Sequence, residues 1–226
     1  PKTKALMINT PNNPTGSVMD EETMRQIAEI AVKHDILVIS DDVYNTLLYD
    51  GAKNTCIAAF PGMKERTAVV NSLSKSYAMT GWRIGFVAGP AELVSAMTKC
   101  QENFNACANA PGQYAGTVAL AHPELCEELR KVFENRRRLL LDGLKGIKGI
   151  ESNDPKGAFY VFADISSFGL SSADFCNRLL DEQKVVCIPG SAFGACGEGF
   201  IRIAYTCSDS DLVEAVARIK TFCESL

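Results

Sequence analysis

Two short apolar segments flank an amphipathic segment near the start of the chain, and this order strongly limits the possible folds. Residues 4–9 and 36–40, KALMIN and ILVIS, have the length and composition of buried strands. Between them, residues 20–35 repeat apolar side chains at helical spacing from Met24 to Ala31, and acidic residues fill the predicted first turn. Because parallel strands need a crossover of this kind, the segment predicts a βαβ unit.

The same alternation continues to about residue 122. Residues 67–73 and 82–89 are predicted strands, and a helix is predicted to begin near Ala91 and to run through the region of Lys99. Strands joined by long crossovers indicate an α/β fold with a mostly parallel sheet flanked by helices. We therefore assign residues 1–122 to one domain.

A different pattern begins at residue 123. A long helix is predicted from Pro123 to about Lys145, and its predicted apolar face consists of Leu125, Leu129, Val132 and Leu140. Short strand-like segments and two further amphipathic helices follow. The strands are predicted at residues 157–165, 184–190 and 200–206, and the helices at residues 172–183 and 210–226. Residues 123–226 are therefore predicted to form a smaller α+β C-terminal domain.

Composition and charge narrow the possible partners. The 226 residues carry a net charge of −4 and have a pI near 5.3, which does not favour binding to nucleic acid or to an anionic membrane surface. The one basic cluster, residues 136–138, is predicted to be a solvated helix face. No apolar run approaches the length of a membrane span.

The nine cysteines are scattered, and none forms a C-x-x-C motif or a metal-like pairing with the two histidines. Several lie in apolar runs, which is typical of reduced, buried thiols. We therefore expect a reducing cytoplasmic location, no disulfide framework and no metal site.

Three polar loops follow predicted strands: NNPTG, DDVY and SLSK, at residues 12–16, 41–44 and 72–75. Each has an ordinary alternative explanation, respectively a turn, a helix cap or ion pair, and a surface charge. In open α/β sheets, however, ligands bind where loops leave the carboxyl ends of strands. Three such loops together therefore predict a binding site.

The chain resembles the class I/II aminotransferases, which are pyridoxal-phosphate enzymes of fold type I. The resemblance rests on NTPNNPTG, SDDVY, SLSKSYAMTGWRIGF, GAFYVF and FIRIAY, in this order along essentially the whole chain. Its most specific element is S-x-S-K followed by an arginine eight residues after the lysine. Residues 1–122 would then be the C-terminal portion of the large cofactor-binding domain.

The resemblance assigns two residues directly to the chemistry of pyridoxal phosphate. It implies that Lys75 forms a Schiff base with the cofactor and then moves the substrate proton, a role that requires a primary amine. Asp41, three residues before Tyr44, would pair with the pyridine nitrogen and keep it protonated. Asp42 does not match the D-x-x-Y spacing, and its side chain is predicted to point to the opposite side of the strand.

The resemblance also assigns residues that hold the cofactor and the substrate. Tyr44 and Asn13 would donate hydrogen bonds to the ring oxygen. The phosphate would be held by Ser72, Ser74 and Arg83. Arg202, in FIRIAY, would bind the substrate α-carboxylate, since its planar fork matches a carboxylate; the alternative is a buried structural ion pair.

One expectation concerns what the chain does not contain. Related enzymes carry a further N-terminal part with a phosphate-binding loop and an aromatic ring that stacks on the cofactor. Since this chain begins with PKTKALMIN, we expect it to be a fragment that lacks this part. Such a fragment could be inactive by itself.

The resemblance implies transfer of an amino group from an L-amino acid, with an aspartate-like donor as the first candidate, to a 2-oxo acid such as 2-oxoglutarate. It also implies a homodimer. Two alternatives remain at this point. One is a pyridoxal-phosphate-dependent carbon–sulfur lyase, and the other is the effector domain of an amino-acid-responsive regulator.

Overall fold

The computed structural model describes residues 2–226, which belong to two compact units. The first unit combines Pro1–Pro11 with Val18–Arg130, and the second combines Asn12–Ser17 with Lys131–Leu226. The division falls inside the long helix predicted from Pro123, so a domain boundary at residue 123 stays a prediction. Within residues 2–226, every helix is too short or too polar to span a bilayer.

The first unit is built on a four-stranded sheet. Its elements are β1 (Ala5–Asn9), α1 (Glu21–Lys33), β2 (Leu37–Asp41), β3 (Thr67–Ser72), α2 (Leu73–Ser76), β4 (Gly85–Ala88), α3 (Ala91–Asn105) and α4 (Ala110–Leu120). The strand order is β1-β2-β3-β4; the first two pairs are parallel and the last is antiparallel. The predicted mostly parallel sheet is confirmed.

Helix α1 connects β1 to β2 and packs on one face of the sheet. Asp20 caps the helix by accepting a hydrogen bond from the Thr23 backbone N–H at 2.7 Å. The apolar stripe of α1 is buried against side chains from β1, β2 and the loop that follows β2. This core consists of Ile8, Met24, Ala28, Ala31, Val38, Ile57 and Met63. The face of α1 that consists of small and apolar residues thus covers the sheet, as predicted.

The structure corrects two features of the segment around residues 67–89. Strand β3 ends at Ser72, because the next residue begins α2, and β4 begins only at Gly85. Arg83, predicted in a strand, has a φ of +55°, so an extended strand cannot pass through it. Sequence reasoning also missed α4, whose glycines weaken its helical pattern; a Cβ at Gly116 would lie 2.8 Å from Leu73 Cδ1, so the glycine allows close packing there.

The second unit contains an antiparallel sheet covered by helices. Its elements are α5 (Glu124–Lys145), which begins in the first unit, β5 (Glu151–Ser152), β6 (Tyr160–Asp164), α6 (Ser172–Gln183), β7 (Ile188–Pro189), β8 (Phe200–Ala204) and α7 (Asp209–Glu224). The strand order is β5-β6-β8-β7. The predicted α+β character of the C-terminal part is confirmed.

The buried face of α5 differs from the predicted one. Leu140 is buried as predicted, but Leu125 and Val132 are 45% and 43% exposed, and the buried face also includes Phe133 and Leu144, which were not predicted. The Phe133 ring stacks on Phe159 with centroids 5.3 Å apart. The misassignment has a simple cause, since the buried stripe of α5 includes an arginine and therefore does not read as apolar.

That arginine, Arg137, also corrects the expectation that residues 136–138 form a solvated face. Its side chain is 4% exposed and donates from Nε to the carbonyl of Pro155 at 2.6 Å. It also forms an ion pair with Asp154. Arg138, by contrast, is exposed and pairs with Glu134 one turn earlier, as expected of a surface charge.

The packing of α1 predicts a matched pair of stability effects. Met24 is fully buried, so Met24→Ala should lower the free energy of unfolding by about 2–5 kcal/mol through lost burial and a residual cavity. Ile30 lies on the same helix but is 55% exposed, and Ile30→Ala should change it by only about 0.5 kcal/mol. Urea denaturation measures both values, and equal losses would contradict this packing.

Candidate active site

The carboxyl ends of three neighbouring strands meet at one edge of the first sheet. Asn9 at the end of β1 lies beside Asp41 at the end of β2, and Asp41 lies beside Val70 of β3. The Asn9 side-chain amide donates to the Asp41 carbonyl at 3.1 Å. Adjacent strands lie about 4.8 Å apart, so the parallel register brings the loops after β2 and β3 to the same edge.

Asp41 and Tyr44 lie at the start of the loop after β2. Asp41 is half-buried, and its Oδ1 accepts a hydrogen bond from the Val43 backbone N–H at 3.3 Å. Tyr44 is 4% exposed and belongs to the core. A carboxylate oriented by its own loop is thus held at the sheet edge.

Ser72, Ser74 and Lys75 lie in one tight turn after β3. The Ser72 hydroxyl oxygen caps α2 by accepting from the Ser74 backbone N–H at 3.0 Å. It also lies 2.9 Å from the Ile84 carbonyl and 2.8 Å from the Ser74 hydroxyl. One hydroxyl carries one proton, so when Ser72 donates to the Ser74 hydroxyl, Ser74 keeps its own proton to donate elsewhere. Lys75, the next residue, is half-buried.

Arg83 lies beyond the 3-10 turn Thr80–Trp82. Its left-handed backbone turns the chain into β4, and its Nη1 donates to the Thr80 carbonyl at 2.9 Å. Ser72, Ser74 and Arg83 together line a concave surface of about 810 Å³. Lys75, Asp41 and Tyr44 are not part of this lining. The structure therefore groups the three predicted phosphate ligands around one depression.

Asn13 and Arg202 belong to the second unit, and there they contact each other directly. Arg202 Nη1 donates to the Asn13 side-chain oxygen at 2.9 Å. The guanidinium carbon lies 4.5 Å from the ring centroid of Tyr160 and 4.9 Å from that of Phe193. Sequence reasoning missed both rings, although GAFYVF and PGSAF place aromatic residues near the arginine strand.

The electrostatic surroundings of Arg202 are unusual for a half-buried cation. Its Nε is buried and has no hydrogen-bond partner in residues 2–226, and no acidic side chain in that range forms an ion pair with it. Burying a charge without a counter-ion is costly, and the ring contacts offset only part of that cost. Among residues 2–226, the structure shows no acidic partner of Arg202 of the kind that the predicted alternative, a structural ion pair, would require.

Asp42 is buried beside the candidate site. It is 3% exposed, and its Oδ1 accepts a hydrogen bond from the Ser40 hydroxyl at 2.6 Å. Burial, which is the largest influence, raises the pKa of the Asp42 carboxyl; the Ser40 hydrogen bond opposes this, and the neighbouring Asp41 charge adds to it.

Comparison with known proteins identifies the family. The family model described as aminotransferase class I and II matches residues 1–219. The chain belongs to this family. An aspartate aminotransferase of Pyrococcus abyssi is 46% identical over 222 residues, which cover 97% of this chain and 57% of that protein. An aromatic-amino-acid aminotransferase 2 of Thermococcus litoralis is 45% identical, with coverage of 97% and 57%.

Solved structures of this family share the fold. The crystal structure of an aromatic aminotransferase from Pyrococcus horikoshii aligns with a TM-score of 0.95 and 42% identity, and the alignment covers 99% of this chain and 60% of that one. The chain thus spans about 57–60% of the length of these relatives. The resemblance noted from the motifs is confirmed.

The buried carboxyl of Asp42 predicts a pH-dependent stability difference. Because its pKa is raised in the folded state, its stabilising contribution is present below the unfolded-state value of about 4 and is lost as the pH rises through the folded-state pKa. Asp42→Asn removes this titration but keeps an acceptor for Ser40. Its free energy of unfolding should therefore increase relative to the parent as the pH rises from about 4 to 7. Urea denaturation across this range measures the difference, and a pH-independent difference would refute the assignment.

Proposed function

We propose that the protein containing this chain transfers an amino group from an L-amino acid to a 2-oxo acid, using pyridoxal 5′-phosphate. The observation that carries this proposal is the turn after β3. It holds the half-buried amine of Lys75 directly after two serines whose hydroxyls lie 2.8 Å apart. Members of the aminotransferase class I and II family generally use this cofactor, and the relatives named above favour transfer over elimination or ligand sensing.

The donors around this turn fit a phosphate group. Ser74 can keep a hydroxyl proton free, and the Arg83 guanidinium has further N–H groups beyond the one that bonds Thr80. Charge-assisted donors of this kind are suited to a dianion, and these side chains line one depression. Ser72, Ser74 and Arg83 would hold the phosphate there.

Two residues would serve the reacting end. When bound, pyridoxal phosphate supplies an aldehyde that condenses with primary amines and a ring that withdraws electrons. Lys75 offers its Nζ for that condensation, and the same atom would later accept the proton from the substrate Cα and deliver it to the carbon that the aldehyde supplied. The Asp41 carboxylate would face the ring nitrogen and stabilise its protonated form. Tyr44 and Asn13 would donate to the ring oxygen.

Arg202 would bind the α-carboxylate of both substrates. The guanidinium is half-buried, lacks a carboxylate partner in residues 2–226, and keeps N–H groups beyond the one used by Asn13. Bidentate binding of a planar carboxylate would supply the missing counter-charge. The Asn13 contact would hold the guanidinium in place for that interaction.

The donor amino acid is proposed to be aspartate-like, with an aromatic amino acid as the next candidate. Both classes occur in the names of the relatives. The proposal also includes a homodimer, which the resemblance implies, and a cytoplasmic location, which the scattered cysteines favour. Transfer from a panel of amino acids to 2-oxoglutarate by the whole protein would identify the donor.

The role of Lys75 can be tested spectroscopically. The whole protein mixed with pyridoxal phosphate should show a visible absorbance band, and Lys75→Ala should abolish it because no amine remains at that position. Amino-group transfer should fall by at least about 100-fold. Lys99→Ala, on the exposed side of α3, is the matched control and should behave like the parent. A band that persists in Lys75→Ala would contradict the assignment of Lys75 as the residue that bonds the cofactor.

Arg202 can be tested by a charge-conserving change. Lysine keeps the positive charge but cannot offer a planar fork, so Arg202→Lys should raise the KM of both the amino acid and the 2-oxo acid by about tenfold or more. Steady-state kinetics with each substrate varied in turn measure this. An unchanged KM for both substrates would exclude a carboxylate-binding role.

A further inference from the structure

Two aromatic side chains contact the Arg202 guanidinium, and they come from different parts of the second unit. Tyr160 begins β6 and is buried, so its ring is part of the sheet's packed face. Phe193 ends a 3-10 turn, Gly190–Phe193, and is 39% exposed. Both rings lie within 5 Å of the guanidinium carbon, a distance at which cation–π attraction is significant.

The loop that carries Phe193 is tightly closed on itself. A Cβ at Gly190 would lie 2.0 Å from the carbonyl oxygen of Gly197, and one at Gly197 would lie 2.1 Å from that of Gly190. Only glycine permits this approach of backbone to backbone. Residues 190–197 therefore form a compact loop, which limits the positions available to the Phe193 ring.

A hydrogen-bond network also ties this loop to the start of α6. The Ser172 backbone N–H donates to one oxygen of Glu198 at 2.6 Å, and its hydroxyl lies 2.9 Å from the other oxygen. The Ser191 and Ser172 hydroxyl oxygens are 3.0 Å apart. Ser172 is fully buried, whereas Ser191 and Glu198 are exposed, so the network links the surface loop to a buried helix start. Both ends of the loop are thus fastened to a helix of the same unit.

We propose that Phe193 and Tyr160 are positioning residues for the carboxylate site, and that they hold the Arg202 guanidinium in the orientation that binds the substrate α-carboxylate. This inference rests on the proposed function. The long arginine side chain has many rotamers, and its hydrogen bond to Asn13, which uses only Nη1, leaves rotation possible. Ring contacts restrict that rotation and keep Nε away from water.

Under this proposal, recognition of the substrate α-carboxylate depends on Phe193 and Tyr160 as well as on the guanidinium of Arg202. Every amino acid and 2-oxo acid in the proposed reaction carries an α-carboxylate. Loss of either ring contact to Arg202 should therefore weaken the binding of both substrates to the same extent. The loss should leave the positions of the reacting atoms unchanged. The expected signature is therefore a higher KM with little change in kcat.

The test uses the whole protein with pyridoxal phosphate. Phe193→Leu keeps an apolar side chain but removes the ring, and it should raise the KM of the amino acid and of 2-oxoglutarate by about two- to thirty-fold. The dissociation constant of maleate, a dicarboxylate that cannot be transaminated, should rise by a similar factor in calorimetry. Phe193→Tyr keeps a ring at that position and should restore parental values.

Phe168→Leu is the matched control, because Phe168 also ends a 3-10 turn but packs against Phe175 and not against an arginine. It should leave both KM values and the maleate affinity unchanged. If the parent transfers amino groups and Phe193→Leu matches it in KM and in maleate affinity, the inference is wrong. If the parent itself transfers none, the proposed function fails instead.

Discussion

The parallel pairing of β1, β2 and β3 is the constraint on which the candidate site depends. Parallel strands in register leave the sheet at the same edge, so residues more than thirty positions apart, such as Asn9 and Asp41, become neighbours. The pairing is possible because α1 crosses over the sheet and buries Met24, Ala28 and Ala31 against it. Hydrophobic burial on one face thus determines where polar residues collect at the edge.

The polar residues then acquire distinct environments within a short stretch. Asp41 ends β2 and Asp42 follows it, but Asp42 is buried with a raised pKa, whereas Asp41 stays half-buried and bonded to its own loop. Side chains of neighbouring residues on an extended backbone point to opposite sides, which is why two identical groups can differ in this way. The second unit offers a comparable contrast, because Arg137 has an acidic partner there and Arg202 has aromatic rings.

Much of the fold followed from residue patterns, and the exceptions share a cause. The spacing of apolar residues and the turn residues at the ends of segments predicted most elements near their observed positions. These are strands β1, β2 and β3 and helices α1, α5, α6 and α7. Helix α4 was missed and the buried face of α5 was misassigned. In both places local composition misleads: glycines lie where two elements approach closely, and a buried arginine interrupts an apolar stripe.

The sequence by itself determined the motifs, their order and hence the family. The motifs S-x-S-K, DDVY and FIRIAY are specific as residue patterns, without any knowledge of the tertiary structure. Only the tertiary structure decided that Arg202 lacks an acidic partner within residues 2–226, that Asn13 contacts it, and that Tyr160 and Phe193 enclose it. Such contacts join residues up to 189 positions apart. Their existence depends on strand register and loop closure, which no local pattern encodes.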